Sequence, residues 1–182
     1  MKYILLLITF FNSIILHAAE IRIGEKIYSP NGKNYIYLSQ TRECKGGYNS
    51  YYNIIYDERK YRLENELPRT FKVLWSKDSN TIFTLNHSYK QTIVQVINYS
   101  DDDWKIEALY PPYKTAYYYW HTTSLIVQEN HIIIKGGYET TQYSKDHKYF
   151  LGIYKYNFIE GKIYDFQSRE VTEQKYSSLI KD

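Results

Sequence analysis

Short apolar-rich runs, separated by turn formers, fill most of this chain. "YIYL" at 35–38 is followed by "YYNIIYD" at 51–57, a polar turn at Glu58-Arg59 and "KYRLE" at 60–64. "IFTL" at 82–85 is followed by "QTIVQVINY" at 91–99, an acidic turn at Ser100–Asp103 and "WKIEALY" at 104–110. Runs of this length rich in Tyr and Ile, bounded by turn formers, suit a pleated, half-buried strand. The two halves also align without a gap, because "YSPNGKNYIYLS" at 28–39 and "WSKDSNTIFTLN" at 75–86 lie 47 residues apart. Tyr28 then matches Trp75, Ser29 matches Ser76, Asn31 matches Asp78 and Gly32 matches Ser79. Asn-Gly and Asp-Ser tolerate positive φ and bond back to their own backbone. Both stretches therefore read as hairpin turns, with Trp75 buried and Ser76 opening the second turn.

A looser third copy starts near Leu125. "LIVQENHIIIKGG" supplies a hairpin with its turn at Glu129-Asn130, and "YFLGIYKYN" with "GKIYDFQ" supplies another. Each unit is strand, turn, strand, loop, strand, turn, strand, and four strands per 40–50 residues is the periodicity of propeller blades. "WSKDSNTIF" and "YSPNGKNYI" resemble the W-S-P-D-G-K-x-I signature of TolB-like and prolyl-oligopeptidase-type β-propeller repeats. The second copy has Lys77 where that signature has Pro and Ser79 where it has Gly, and the first has Tyr28 in place of Trp. The resemblance covers residues 21–110 and, more loosely, 124–167. It implies a hairpin-building motif and carries no chemistry.

The expected fold is all-β and propeller-like, with about three four-stranded antiparallel units. The alternative is a β-sandwich or open barrel of about twelve short strands. The linkers read as "NELPRT" at 65–70 and "PPYKTAYYYWHT" at 111–122, where Pro111-Pro112 cannot join a ladder. Three blades are fewer than an ordinary closed propeller uses. Covering of the open face by the tail at 168–182, read as a short helix or a closing strand, or collapse of the sheets into a sandwich, is expected ahead of dimerisation.

The N-terminal "MKYILLLITFFNSIILHAAE" has Lys2, an apolar run from Tyr3 to Leu16 and then Ala18-Ala19. That is signal-peptide layout, too short to span a bilayer. Residues 1–19 are read as a signal peptide and 20–182 as a single secreted or periplasmic domain, with no membrane attachment after cleavage. The remaining 22 basic and 20 acidic side chains are spread evenly, so no basic face points to nucleic acid. Cys44 is the only cysteine, which excludes an internal disulfide. Tyrosine is abundant at 23 residues; with Ile, Lys and Asn it reflects AT-rich codons and strand preference more than an aromatic binding surface.

Catalytic patterns are missing. There is no G-x-S-x-G, H-E-x-x-H, phosphate-binding glycine loop or paired cysteine motif, and no cofactor is expected. "SDDDW" at 100–104 lacks the alternating ligands of a calcium loop and reads as a solvated hairpin tip, so no metal is expected. The ring-dense "YKTAYYYWH" at 113–121 is the candidate binding site, through Tyr117, Tyr118, Tyr119, Trp120 and His121. Consecutive rings in an extended chain cannot all face one core, so some must meet solvent or a partner. The leading expectation is a monomeric binding or protein-interaction module for a protein or carbohydrate ligand. One rival is a small secreted hydrolase, which requires at least two histidines and a carboxylate to meet in a cleft. The other is a structural or inhibitory protein acting through a sheet edge.

Overall fold

The computed structural model describes residues 22–42, 48–65, 69–88, 91–111, 118–140 and 147–180; the expected signal peptide and Cys44 lie outside them. The described chain is all-β with one terminal helix. The strands are β1 (Ile27–Tyr28), β2 (Tyr35–Arg42), β3 (Tyr48–Tyr56), β4 (Arg59–Asn65), β5 (Arg69–Trp75) and β6 (Thr81–Ser88). They continue as β7 (Gln91–Ser100), β8 (Asp103–Leu109), β9 (Tyr118–Val127), β10 (His131–Thr140), β11 (Tyr149–Asn157) and β12 (Lys162–Val171), followed by α1 (Glu173–Ile180).

These strands make three consecutive antiparallel meanders, β1–β4, β5–β8 and β9–β12. Hydrogen bonding groups them into two sheets, neither of which closes into a barrel. The first meander is one sheet. The second and third share the other, because β7 also pairs in parallel with β9 at Thr92 and His121.

The middle meander is buried on both faces. One face packs Val73, Trp75, Ile82, Ile97 and Trp104 against Ile36, Leu38, Tyr52 and Ile54 of the first meander. The other packs Phe83, Leu85, Val94, Val96 and Leu109 against Trp120, Leu125, Ile132, Ile134 and Tyr154 of the third. A strand with two dry faces needs apolar side chains at successive positions, which is why "TIVQVI" is nearly continuous while "YIYL" alternates.

The turns at 29–34 and 76–81 share the same backbone hydrogen bonds. The Ser29 and Ser76 amides donate to the carbonyls of Asn34 and Thr81, while the Gly32 and Ser79 amides donate to those of Ser29 and Ser76. Each serine hydroxyl donates to the side chain two residues on, Asn31 or Asp78, and accepts from the amide of Asn34 or Thr81. Gly32 and Ser79 both take positive φ, at 71° and 65°. Trp75 is buried, and its indole N–H donates to the Ile27 carbonyl of the neighbouring sheet, 3.1 Å away.

The following hairpins turn on Asp57-Glu58 and Asp101-Asp102, with positive φ at all four residues, as two-residue type I′ turns require. The first lies one residue earlier than the expected Glu58-Arg59, since Arg59 already pairs with Tyr56 in the ladder. The second stretch of linker also needs correction. Pro111 is buried beyond β8, and the ladder resumes at Tyr118, so part of the ring-dense segment belongs to β9.

Between the first two meanders sits a neutral polar cluster with no solvent access. The Tyr52 hydroxyl lies 2.8–3.3 Å from side-chain oxygens of Thr70, Thr84, Asn86 and Gln95. Asn86 uses its full hydrogen-bonding capacity: Oδ1 accepts from Tyr52 and Thr70, and Nδ2 donates to Thr84 and Gln95. Burial pushes the Tyr52 phenol above its ordinary pKa, so it stays neutral.

The tail forms α1, which packs on β9, β10 and β11 and buries Tyr176. Gly137 leaves room for it, as a Cβ there would stand 2.7 Å from the Tyr176 ring. At the free edge, β12 is broken by a register shift opposite Ile153–Lys155, with Asp165 at φ 56°. A bulge of this kind spoils an edge as a template for strand addition.

Candidate functional site

The first meander has one dry face and one half-buried face, and the half-buried face carries the rings. Alternation turns Ile36, Leu38, Tyr52 and Ile54 inward and leaves Tyr35, Tyr37, Tyr51 and Ile55 half-buried on the other face, around the buried Asn53. Register completes the array: Tyr28 pairs with Tyr35, Tyr35 with Ile55, Tyr37 with Asn53, and Ser39 with Tyr51. On β4, Lys60, Arg62 and Glu64 sit opposite Ile55, Asn53 and Tyr51. Four tyrosines from three strands thus share one surface.

The rings touch one another and hold cations. Tyr28 and Tyr35 have centroids 5.4 Å apart, and Tyr35 and Tyr37 are 6.3 Å apart, all tilted rather than stacked. The Lys26 ammonium lies 4.5 Å from the Tyr35 centroid and the Lys60 ammonium 6.0 Å from that of Tyr37. The Arg62 guanidinium lies 3.7 Å above Tyr51. Attraction between a cation and a ring face fixes the position of each charge without neutralising it. Among the described residues none of the three cations is paired with a carboxylate. Tyr28 stays 54% exposed, although Trp75 at the matching position of the second turn is buried. No sheet covers the first meander as it covers the second.

The site expected at residues 117–121 is divided by the fold. Tyr117 lies outside the described residues, and Tyr118 opens β9. Tyr119 is half-buried. Trp120 is 1% exposed and belongs to the core. Its indole lies across Gly136 and Gly152, which face each other in the ladder, and a Cβ at Gly136 would come within 2.6 Å of the ring. Its N–H donates to Thr122. His121 is half-buried on the opposite face of β9. Burial holds its pKa below the ordinary value, partly offset by the charge of Glu139.

Glu139 is where histidines gather. His147 lies 3.1 Å from its carboxylate and stacks on Tyr149, and His121 lies in its field. The hydrolase reading requires two histidines in hydrogen-bonding reach of a carboxylate, and the described bonds supply one. The open cavity of about 530 Å³ beside α1 is lined by Lys135, Leu151, Ile153, Arg169 and Leu179 and by none of these groups. Among the described residues no three histidine, cysteine or acidic side chains are placed to hold a metal. Asp101 of the acidic turn is instead bonded to Lys105 at 2.7 Å. Nor is any described helix long and apolar enough to cross a membrane.

The outward tyrosines left one signal in the sequence, the alternation of Tyr35 and Tyr37 with Ile36 and Leu38 in "YIYL". Tyr28 and Tyr51 join them only through strand register, which a linear reading does not supply. No known protein family, curated protein or solved structure matches this chain.

Proposed function

We propose that the chain is an exported, monomeric binding module without catalytic activity, built from three propeller-type blades, with a carbohydrate ligand held on the tyrosine face of the first blade. The observation that carries this reading is the concentration of Tyr28, Tyr35, Tyr37 and Tyr51 on one sheet face, Tyr28 exposed and the other three half-buried. Rings gathered on one solvent-reaching face, rather than scattered singly, mark an interaction surface. Tyrosine suits a hydroxyl-rich ligand because it combines an apolar ring with a hydrogen-bonding tip. The matched turns at Ser29 and Ser76 support the blade assignment, since they give successive meanders the same entry geometry. Export rests on the basic, apolar and small-residue order of residues 1–19.

The test is a glycan-binding screen with residues 20–182, followed by titration of any binder against the Tyr28→Ala/Tyr37→Ala double variant. Both side chains project from the sheet face, so the fold is expected to survive, as a thermal melt would verify. A drop of about tenfold or more in affinity supports the site, as expected when interfacial aromatic anchors are lost. Unchanged affinity, or no glycan bound by the parent chain, refutes it.

A further inference from the structure

We infer that the carbohydrate is polyanionic, a uronic-acid-type polysaccharide read by Lys26, Lys60 and Arg62; this rests on the tyrosine face being the binding site. The three cations reach over the rings from both sides of the sheet, Lys26 from just before β1 and Lys60 and Arg62 from β4. Glu64 is the carboxylate that β4 places on this face, opposite Tyr51, so positive charge predominates there. In a chain whose charges nearly balance overall, three cations fixed over these rings, with no carboxylate partner among the described residues, form a local positive field suited to a repeating anion.

Ring geometry separates a polysaccharide from other polyanions. Single-stranded nucleic acid binds by stacking bases on bare aromatic faces. Here Arg62 occupies a face of Tyr51 and Lys26 a face of Tyr35, and the rings are tilted to one another. Phenol hydroxyls, ring edges and cationic N–H donors remain on offer, and these match a chain of hydroxyls and carboxylates. Arg62 adds a planar fork suited to a carboxylate.

The experiment titrates residues 20–182 with polygalacturonate and with the same polymer fully methyl-esterified, which keeps the sugar and removes the charge. A single-stranded oligonucleotide and polyglutamate are run in parallel. The expected result is binding of polygalacturonate, at least tenfold weaker for the ester. Raising salt from about 0.05 to 0.5 M is expected to weaken it further, because exposed charges are screened within a few ångströms at high ionic strength. Lys60→Gln/Arg62→Gln should lower affinity about tenfold, whereas Lys105→Gln/Lys162→Gln, away from the face, should not. Equal binding of both polymers would overturn the anionic reading and leave the carbohydrate reading standing. Charge-dependent binding that survives Lys60→Gln/Arg62→Gln would place the anion elsewhere and overturn the inference. Preference for the oligonucleotide or polyglutamate would overturn both readings, whereas no binding to either sugar polymer would overturn the anionic inference and leave the carbohydrate reading to the glycan screen.

Discussion

The polar cluster between the first two meanders makes an unequal demand on its members, and two substitutions expose it. Replacing Tyr52 by Phe removes one hydroxyl with four oxygen neighbours, which at first sight is the larger loss. Each of the side-chain amide groups nevertheless keeps a partner. Asn86 Oδ1 still accepts from Thr70, and Gln95 Oε1 still accepts from Asn86 Nδ2 at 2.9 Å. Thr84 likewise keeps its bond from Asn86 at 2.7 Å. The cost is therefore about one net hydrogen bond, roughly 1 kcal/mol. Replacing Asn86 by Leu removes two acceptor and two donor contacts at once, in a site with no water to replace them. At about 0.5–1.5 kcal/mol per bond, and allowing Tyr52 and Thr84 to turn toward Gln95, the loss is about 3–4 kcal/mol. For a domain of this size each kcal/mol moves Tm by about 2–4 °C. Tyr52→Phe is thus expected to melt about 3 °C below the parent and Asn86→Leu about 10 °C below it. Urea titration of residues 20–182, with both variants read by tryptophan fluorescence, gives the comparison. If Tyr52→Phe costs as much as Asn86→Leu, the hydroxyl is the hub and this assignment of donors is wrong.

Other outcomes follow from single positions. Gly136→Ala puts a Cβ 2.3 Å from the His121 carbonyl oxygen and against Trp120, so a loss of about 3 kcal/mol and a changed near-ultraviolet dichroism are expected; a neutral substitution would show that β10 is not pressed against the indole. Glu58→Gly relieves an exposed residue at φ 65° and is expected to raise stability by about 0.5 kcal/mol in a thermal melt, whereas a decrease would mean the turn is not type I′. His121 has a folded pKa below the ordinary value of 6.5, so the unfolded chain takes up the proton first as the solution is acidified. Its contribution to stability is present above about pH 6.5 and is lost as pH falls through the folded pKa. Accordingly, His121→Gln should flatten the decline of Tm between about pH 7.5 and 5, and an unaltered slope would assign that decline to other groups.

The strands and hairpins were legible because their signals are local. The apolar-rich run "YIYL" and the positive-φ formers at Asn31-Gly32 and Asp78-Ser79 each occupy a few neighbouring residues. The Asp57-Glu58 turn was displaced by one position because Glu is a poor left-handed residue and gives no mark of its own. The stacking of the meanders was not legible, since an apolar run in β7 says that both faces are dry without saying what dries them. The candidate site suffered most. Ring density drew attention to Tyr117–His121, where the ladder turns Trp120 into the core. The four outward tyrosines lie between positions 28 and 51, at separations that only cross-strand register converts into neighbours.

The parallel bridge between Thr92 and His121 creates a hierarchy of attachment. The second and third meanders are laced together by main chain, whereas no backbone-to-backbone hydrogen bond among the described residues ties the first to either. What fastens the first is side chains: the apolar layer, the Tyr52 cluster, the Trp75 indole on Ile27, and the Tyr56 hydroxyl on Asn80. Such a sheet can lift away as a unit without tearing any ladder, and its amides would exchange with solvent through that partial opening before global unfolding. A guest gripping the outer face of β2 and β3 would resist the lifting even though it touches none of the fasteners. Exchange at the amides of Ile36, Leu38 and Ile54 would then slow on ligand addition, while that of the laced strands stayed at its own rate.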